Sequence, residues 1–222
     1  MRKEGESLGV EKLFIEDAIT RLLITNYLKK KLQKVGFSSA SIQKTPILTR
    51  ITVEVADPGR LIGKKGKSIR KLTEVIEKEF NVKDAQIAVS PVEKIELDPN
   101  LMAMSIAKKI EKNKPIRPTI HLALKRIMNA GALGCEIRVS GKILAKGAKA
   151  KSIKVSAGYL PKAGDLTRVV KVGEFVARPK SGAINVRVLI TPPGSLPEEL
   201  VKKFQLAKIY KYAEEEKEKT EK

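Results

Sequence analysis

Apolar side chains recur at Leu13, Phe14, Ala18, Leu22, Leu28, Leu32 and Val35, close to helical spacing, so residues 10–35 are expected to form a long amphipathic helix that Gly36 stops. The period then drops to two. Residues 40–47 read as a strand interrupted by Pro46, and Ile51, Val53 and Val55 alternate with Thr52 and Glu54 as in a half-buried strand. A hairpin or a pair of adjacent strands is expected. Asp57-Pro58-Gly59 predicts a sharp turn, followed by a single helical turn at Arg60-Leu61-Ile62. After Gly63-Lys64-Lys65-Gly66, the residues Ile69, Leu72, Ile76 and Phe80 share one face of a helix, and residues 85–89 return as a short strand. The expected order is α-β-β-α-α-β.

A linker over residues 91–97 leads to Asp98-Pro99, where Asp can cap a helix and Pro suits its first position. That helix is expected to run to about Asn113 and to break at Pro115. A second helix spans 118–130 and ends at Gly131, and four strands follow at about 135–140, 151–159, 169–177 and 183–191. Pro192-Pro193-Gly194 closes this segment. Residues 197–212 could form an exposed helix, while 213–222 is a mixed-charge run too polar to pack and is expected to be disordered away from a partner. The fold class is therefore α+β. Three parts are expected: residues 1–94, residues 95–196 with two helices and a four-stranded sheet, and a charged tail at 197–222.

Composition adds a partner. The chain carries 45 Lys plus Arg against 25 Asp plus Glu, a formal charge of +20 over 222 residues, far beyond what solubility needs. A polyanion is implied. No apolar run approaches the ~20 residues of a spanning helix and the start is charged, so no membrane is expected and a cytoplasmic location is. The charge is also uneven: residues 97–196 hold 19 basic and 5 acidic side chains, whereas 197–222 balance at 7 and 7. The polyanion should lie mainly against the second part.

Chemistry of other kinds finds little footing. One cysteine and one histidine allow no intrachain disulfide and too few ligands for zinc, so neither a metal site nor a cofactor is expected. Cys135 opens an apolar stretch and reads as a small buried hydrophobe, and Met102 and Met104 as helix packing residues. Paired carboxylates, a nucleophile triad and a Walker loop are all lacking, so no catalytic residue is assigned and the chain is not expected to be an enzyme.

The tetrad Gly63, Lys64, Lys65, Gly66 by itself could be a solvated loop, since two glycines and two lysines meet often by chance. Its setting between a one-turn helix and an amphipathic helix, after two strands and before a third, favours function. Two glycines let a sugar-phosphate backbone approach closely, the helix behind offers free N–H groups, and Lys64, Lys65, Lys67 and Arg70 add positive charge. With Ile-Gly-Lys-Lys-Gly-Lys-Ser-Ile-Arg at its centre, the segment from about residue 16 to 89 resembles a type-two KH domain. That resemblance implies a groove for single-stranded nucleic acid with the loop clamping its backbone.

Residues 129–144, Asn-Ala-Gly-Ala-Leu-Gly-Cys-Glu-Ile-Arg-Val-Ser-Gly-Lys-Ile-Leu, look like the helix-to-strand junction of the universal small-subunit ribosomal proteins of the S-three family, in an archaeal-like form. Further likeness lies in 151–161 and 184–194. The resemblance implies a structural, RNA-binding component of the head of the small ribosomal subunit. Its expected partners are small-subunit rRNA, mRNA where it enters the subunit, and neighbouring small-subunit ribosomal proteins.

In the corresponding helix of the family, adjacent arginines are often followed by another basic residue. Arg117 matches the first, Pro118 departs from the second, and His121 stands where bacterial relatives commonly have Lys. Spacing alone places Arg117, His121 and Lys125 on one helical stripe, opposite an apolar face of Ile120, Leu124, Ile127 and Met128. The lysines Lys142, Lys146, Lys149, Lys151 and Lys154 meet almost no acid between Glu136 and Asp165, which favours phosphate contacts over a mixed-sign solvated loop. Arg138, Arg168, Arg178 and Arg187 are companions by charge. Two alternatives stand beside this reading: a free KH-domain regulator, which would not need so basic a second domain, and a DNA lyase acting through a lysine Schiff base, for which no desolvated lysine is marked.

Overall fold

Two units form along the chain, residues 1–93 and 94–222, each with its own apolar core. A computed structural model describes residues 10–45, 48–80, 82, 84–143, 149–180 and 182–195. The expected helix and exposed run at 197–212 and 213–222 lie outside these residues.

In the first unit α1 covers Val10–Lys31, a tighter turn follows at Leu32–Lys34, and Gly36 at φ 89° lets the chain leave the helix. Strands β1 (Phe37–Lys44) and β2 (Thr49–Val55) pair antiparallel, and after α2 (Pro58–Ile62) and α3 (Lys67–Phe80) strand β3 (Ala85–Pro91) lies parallel to β2. Parallel neighbours need a long crossover, which α2 and α3 supply. The central strand is β2, and its alternation is complete: Ile51, Val53 and Val55 are all fully buried against Ile24, Leu28, Leu61 and Ile76. Each such side chain contributes about 1.5–3 kcal/mol by leaving water.

Three expectations for this unit need correction. The apolar stripe on α1 does not lie wholly in the core: Phe14 and Leu22 are 72% and 60% exposed, with Ile15, Ile19 and Leu23 also open, while Ile24, Leu28 and Leu32 are buried. The buried positions Ile24, Leu28 and Leu32 recur every four residues along one narrow line, so only that line meets the sheet and the other apolar positions turn to solvent. Lys44 Nζ, 2.7 Å from Asp17 Oδ1, ties the helix to the end of β1. Asp57-Pro58-Gly59 is not a turn but the start of α2, because Pro58 fits the first helical position and Gly59 does not take a positive φ. β1 begins at Phe37 rather than 40, and Pro46 and Ile47 lie outside the described residues.

The second unit opens with α4 (Pro99–Glu111), capped by Asp98, whose Oδ1 accepts from the backbone N–H of Asn100 at 2.8 Å. Helix α5 (Ile116–Asn129) begins two residues earlier than the sequence implied: Pro118 sits in its first turn, where a missing N–H costs nothing. Strands β4 (Gly134–Gly141), β5 (Lys151–Gly158), β6 (Lys171–Ala177) and β7 (Ile184–Thr191) make an antiparallel sheet in the order β5-β4-β7-β6. Helix α4 packs over β6 and β7, and α5 over β4 and β5, so one face of the sheet is covered. Buried there are Cys135, Ile137, Val139, Val186 and Val188, together with Met102 from α4; Met104 is buried as well. Gly173 of β6 lets α4 approach closely: any Cβ there would run into the backbone of Pro99 and Asn100.

Candidate nucleic-acid interface

The loop between α2 and α3 is built from left-handed backbone. Gly63, Lys65 and Gly66 have φ of 69°, 53° and 73°, and the N–H of Gly63 closes α2 on the carbonyl of Gly59 at 3.0 Å. A side chain at Gly63 would meet the side chain of Ser68. Lys64, Lys65, Lys67 and Arg70 are exposed on the loop and the first turn of α3, and among the described residues they make no ion pair. The positive end of α3 therefore faces the same side as a cluster of exposed cations. Arg60 and Lys71, which charge counting did not single out, flank the loop, Arg60 lying 3.6 Å from Asp57.

In the second unit the face of the sheet away from the helices carries the basic side chains. Strand register places Lys154, Arg138, Arg187 and Glu174 side by side in one row across all four strands. Like charges directly opposite each other on adjacent strands repel unless something offsets them. Two acids do so. Glu174 Oε1 holds Arg187 Nε at 3.1 Å, and Glu136, only 2% exposed, sits among Arg138 (3.5 Å), Lys154 (3.3 Å) and Lys162 (2.9 Å).

Burial works to raise the Glu136 carboxyl above the usual range, but the hydrogen bonds and charges of Lys162 and Lys154 outweigh it and hold the group below that range. The same contacts raise Lys162. A single ionised carboxylate thus fixes three cations whose heads remain open to solvent. The neighbouring Cys135 thiol is pushed up to about 12, first by burial and then by the Glu136 charge, which makes it an inert packing group, as its sequence setting implied.

The remaining candidates divide. Arg117, His121 and Lys125 are all exposed on α5, opposite buried Ile120, Leu124 and Ile127, so the stripe exists as spacing predicted. Arg117 also joins Lys142 and Lys151 beside a cleft of about 750 Å³, together with Lys114. Lys149 and Arg178 are exposed, and the backbone N–H of Arg178 donates to Glu111 Oε1 at 3.1 Å. Arg168 is paired locally with Asp165 at 3.2 Å, away from the cross-strand row. Lys146 lies outside the described residues.

Sequence reasoning missed Lys162 and Lys114. Neither carried a local signal: Lys162 is 26 positions from the carboxylate it holds, and Lys114 was visible only as one more charge. Among the described residues no helix is long and apolar enough to cross a membrane, and no group of three His, Cys, Asp or Glu side chains is placed to hold a metal.

A glycine loop between two helices on a three-stranded sheet, joined to a basic sheet backed by two helices, defines a KH-type RNA-binding class of protein. Residues 23–98 match the family model described as KH domain, and residues 106–190 match that described as Ribosomal protein S3, C-terminal domain. The chain is 40% identical over 209 residues to the small ribosomal subunit protein uS3 of Methanocaldococcus jannaschii, covering 93% of this chain and 99% of that protein. It is 36% identical over 208 residues to uS3 of Methanococcus maripaludis, covering 92% and 98%, and 38% identical over 190 residues to uS3 of Methanothrix thermoacetophila, covering 85% and 68%. The chain belongs to the uS3 family.

Proposed function

We propose that this chain is a structural RNA-binding component of the small ribosomal subunit in the cytoplasm, and that its second unit supplies most of the hold on rRNA. The observation that carries this reading is the row Lys154, Arg138, Arg187 across the open sheet, set in place by Glu136 and Glu174. Phosphate contacts need charge at fixed spacing rather than base recognition, and a rigid sheet offers that spacing. The Gly63–Gly66 loop adds a clamp for single strands, with Lys64, Lys65, Lys67 and Arg70 as its cations.

The finer placement is in the head of the subunit, with the Arg117, His121, Lys125 stripe bordering the path by which mRNA enters. What supports it is family membership together with the exposure of all three side chains. Arg117 is the leading contact, because its guanidinium is charged at every relevant pH and can take a phosphate with two N–H groups. Neighbouring small-subunit ribosomal proteins are the other partners.

Sedimentation tests the main reading. The native protein should travel with small subunits at high salt in near-stoichiometric amount; a free pool at the top of the gradient would instead favour a KH-domain regulator. For the stripe, Arg117→Ala with Lys125→Ala should leave subunit incorporation intact and slow translation of a template with a downstream hairpin more than translation of an unstructured one. Equal slowing on both templates would remove the stripe from the mRNA path.

A further inference from the structure

One cleft in the second unit combines features that the open sheet face does not. Its floor is aliphatic, formed by Ile116, Ile143, Ile153 and Ile184 near the junction of α5 with the sheet. Its rim carries Lys114, Arg117, Lys142 and Lys151, all exposed, and among the described residues no acid lines it. These four cations make no ion pair among the described residues, whereas those of the sheet row are each held by an acid.

Four unpaired cations around an apolar floor call for a ligand with an anionic edge and a flat apolar body. Free phosphate would need the rim but not the floor. A base-paired helix presents phosphates, yet its bases are stacked and cannot reach the floor. An unpaired nucleotide satisfies both. About 750 Å³ lies within the range of ~300–1,000 Å³ typical of small-ligand sites, so the space is sufficient. Asn113 and Ser152, which also line the cleft, offer donors and acceptors for a base edge. Arg117 adds a planar guanidinium that can stack on the base.

We propose that this cleft takes one unpaired nucleotide of an RNA strand, its base laid on the isoleucine floor and its flanking phosphates held by Lys114, Arg117, Lys142 and Lys151. The inference rests on reading the second unit as the main RNA-binding part. It adds a site for a single base to a surface otherwise suited only to phosphates.

The test uses the full chain with labelled isoleucine methyl groups, titrated with adenosine 5′-monophosphate and, separately, with inorganic phosphate. The monophosphate should shift the methyl signals of Ile143, Ile153 and Ile184, and phosphate alone should not. Lys142→Glu with Lys151→Glu should weaken the monophosphate by about tenfold or more, as expected for loss of charge-assisted hydrogen bonds. Methyl signals unmoved by the monophosphate, equal shifts with phosphate, or unchanged affinity in the double variant would each overturn the proposal. RNA binding by the same unmodified chain separates the two levels: if it binds RNA with a steep salt dependence while the methyls stay still, only the cleft inference falls. If it binds no RNA, the proposed function falls with it.

Discussion

The two basic regions of this chain use charge in opposite ways. On the Gly63–Gly66 loop, Lys64, Lys65, Lys67 and Arg70 stand on or beside left-handed backbone and have no acidic partner among the described residues. On the open sheet, Arg138, Lys154 and Lys162 converge on one buried carboxylate, and Arg187 leans on Glu174. The loop can adapt to a strand that arrives in many shapes. The sheet presents charge already in position, which suits a fixed RNA surface because fewer side chains need ordering on binding. A count of net charge cannot separate the two cases, since an acid that lowers the count is here what organises the cations.

The comparison breaks most severely if the sheet loses its frame. Gly173→Ala should destabilise the second unit by about 3 kcal/mol or more, because the added methyl meets the backbone of α4 rather than a movable side chain. Thermal unfolding followed by circular dichroism should show it. A loss under ~1 kcal/mol would mean that α4 shifts freely over β6.

Removing the organiser is the next test. Glu136→Ala should cost about 1–3 kcal/mol, less than breaking a fully buried pair, since the three freed cations can be rehydrated. The pH dependence follows from the sign of the shift. Because the folded carboxyl lies below its unfolded value of ~4.3, its contribution is fully present above that pH and is lost as pH falls through the lower, folded value. Chemical denaturation of wild type and Glu136→Ala should therefore differ near neutral pH and converge in acid. A constant difference down to the lowest pH would assign the loss to packing instead.

Smaller effects sharpen the loop side. Lys64→Asp with Lys65→Asp should leave the melting temperature nearly unchanged, as both side chains are exposed, while weakening single-stranded RNA binding. Unchanged binding would return the tetrad to an ordinary surface loop. Ile19→Lys should alter stability by less than ~0.5 kcal/mol, because Ile19 is 53% exposed on α1. A larger loss would show that this face is covered in the folded protein.

How much was legible in the sequence follows from the same contrast. The loop could be read directly, because glycines, lysines and the flanking helices are contiguous. Helix caps and strand periods were readable too: Asp98 caps α4, and β4 to β7 fall within two residues of expectation. Pairing across the sheet was not. β4 lies beside β7, far along the chain, so the meeting of Arg138 with Arg187 has no local signature. Nor does the approach of Lys162 to Glu136, or the gathering of Arg117 with Lys142 and Lys151 around one cleft. Burial along α1 failed for a related reason: periodicity marks a face, while how wide a strip of that face the sheet covers depends on tertiary packing.

The central claim, that the second unit carries the main hold on RNA, is tested most directly by the salt dependence of RNA binding. Full-length wild type would be compared with Lys64→Asp/Lys65→Asp and with Arg138→Ala/Lys154→Ala/Arg187→Ala on the same small-subunit rRNA fragment. Each phosphate that is no longer neutralised should flatten the plot of log affinity against log salt by roughly 0.7–0.9. The sheet variant is predicted to lose the greater part of the slope and the loop variant the lesser. A full slope in the sheet variant, with the flattening confined to the loop variant, would contradict the account.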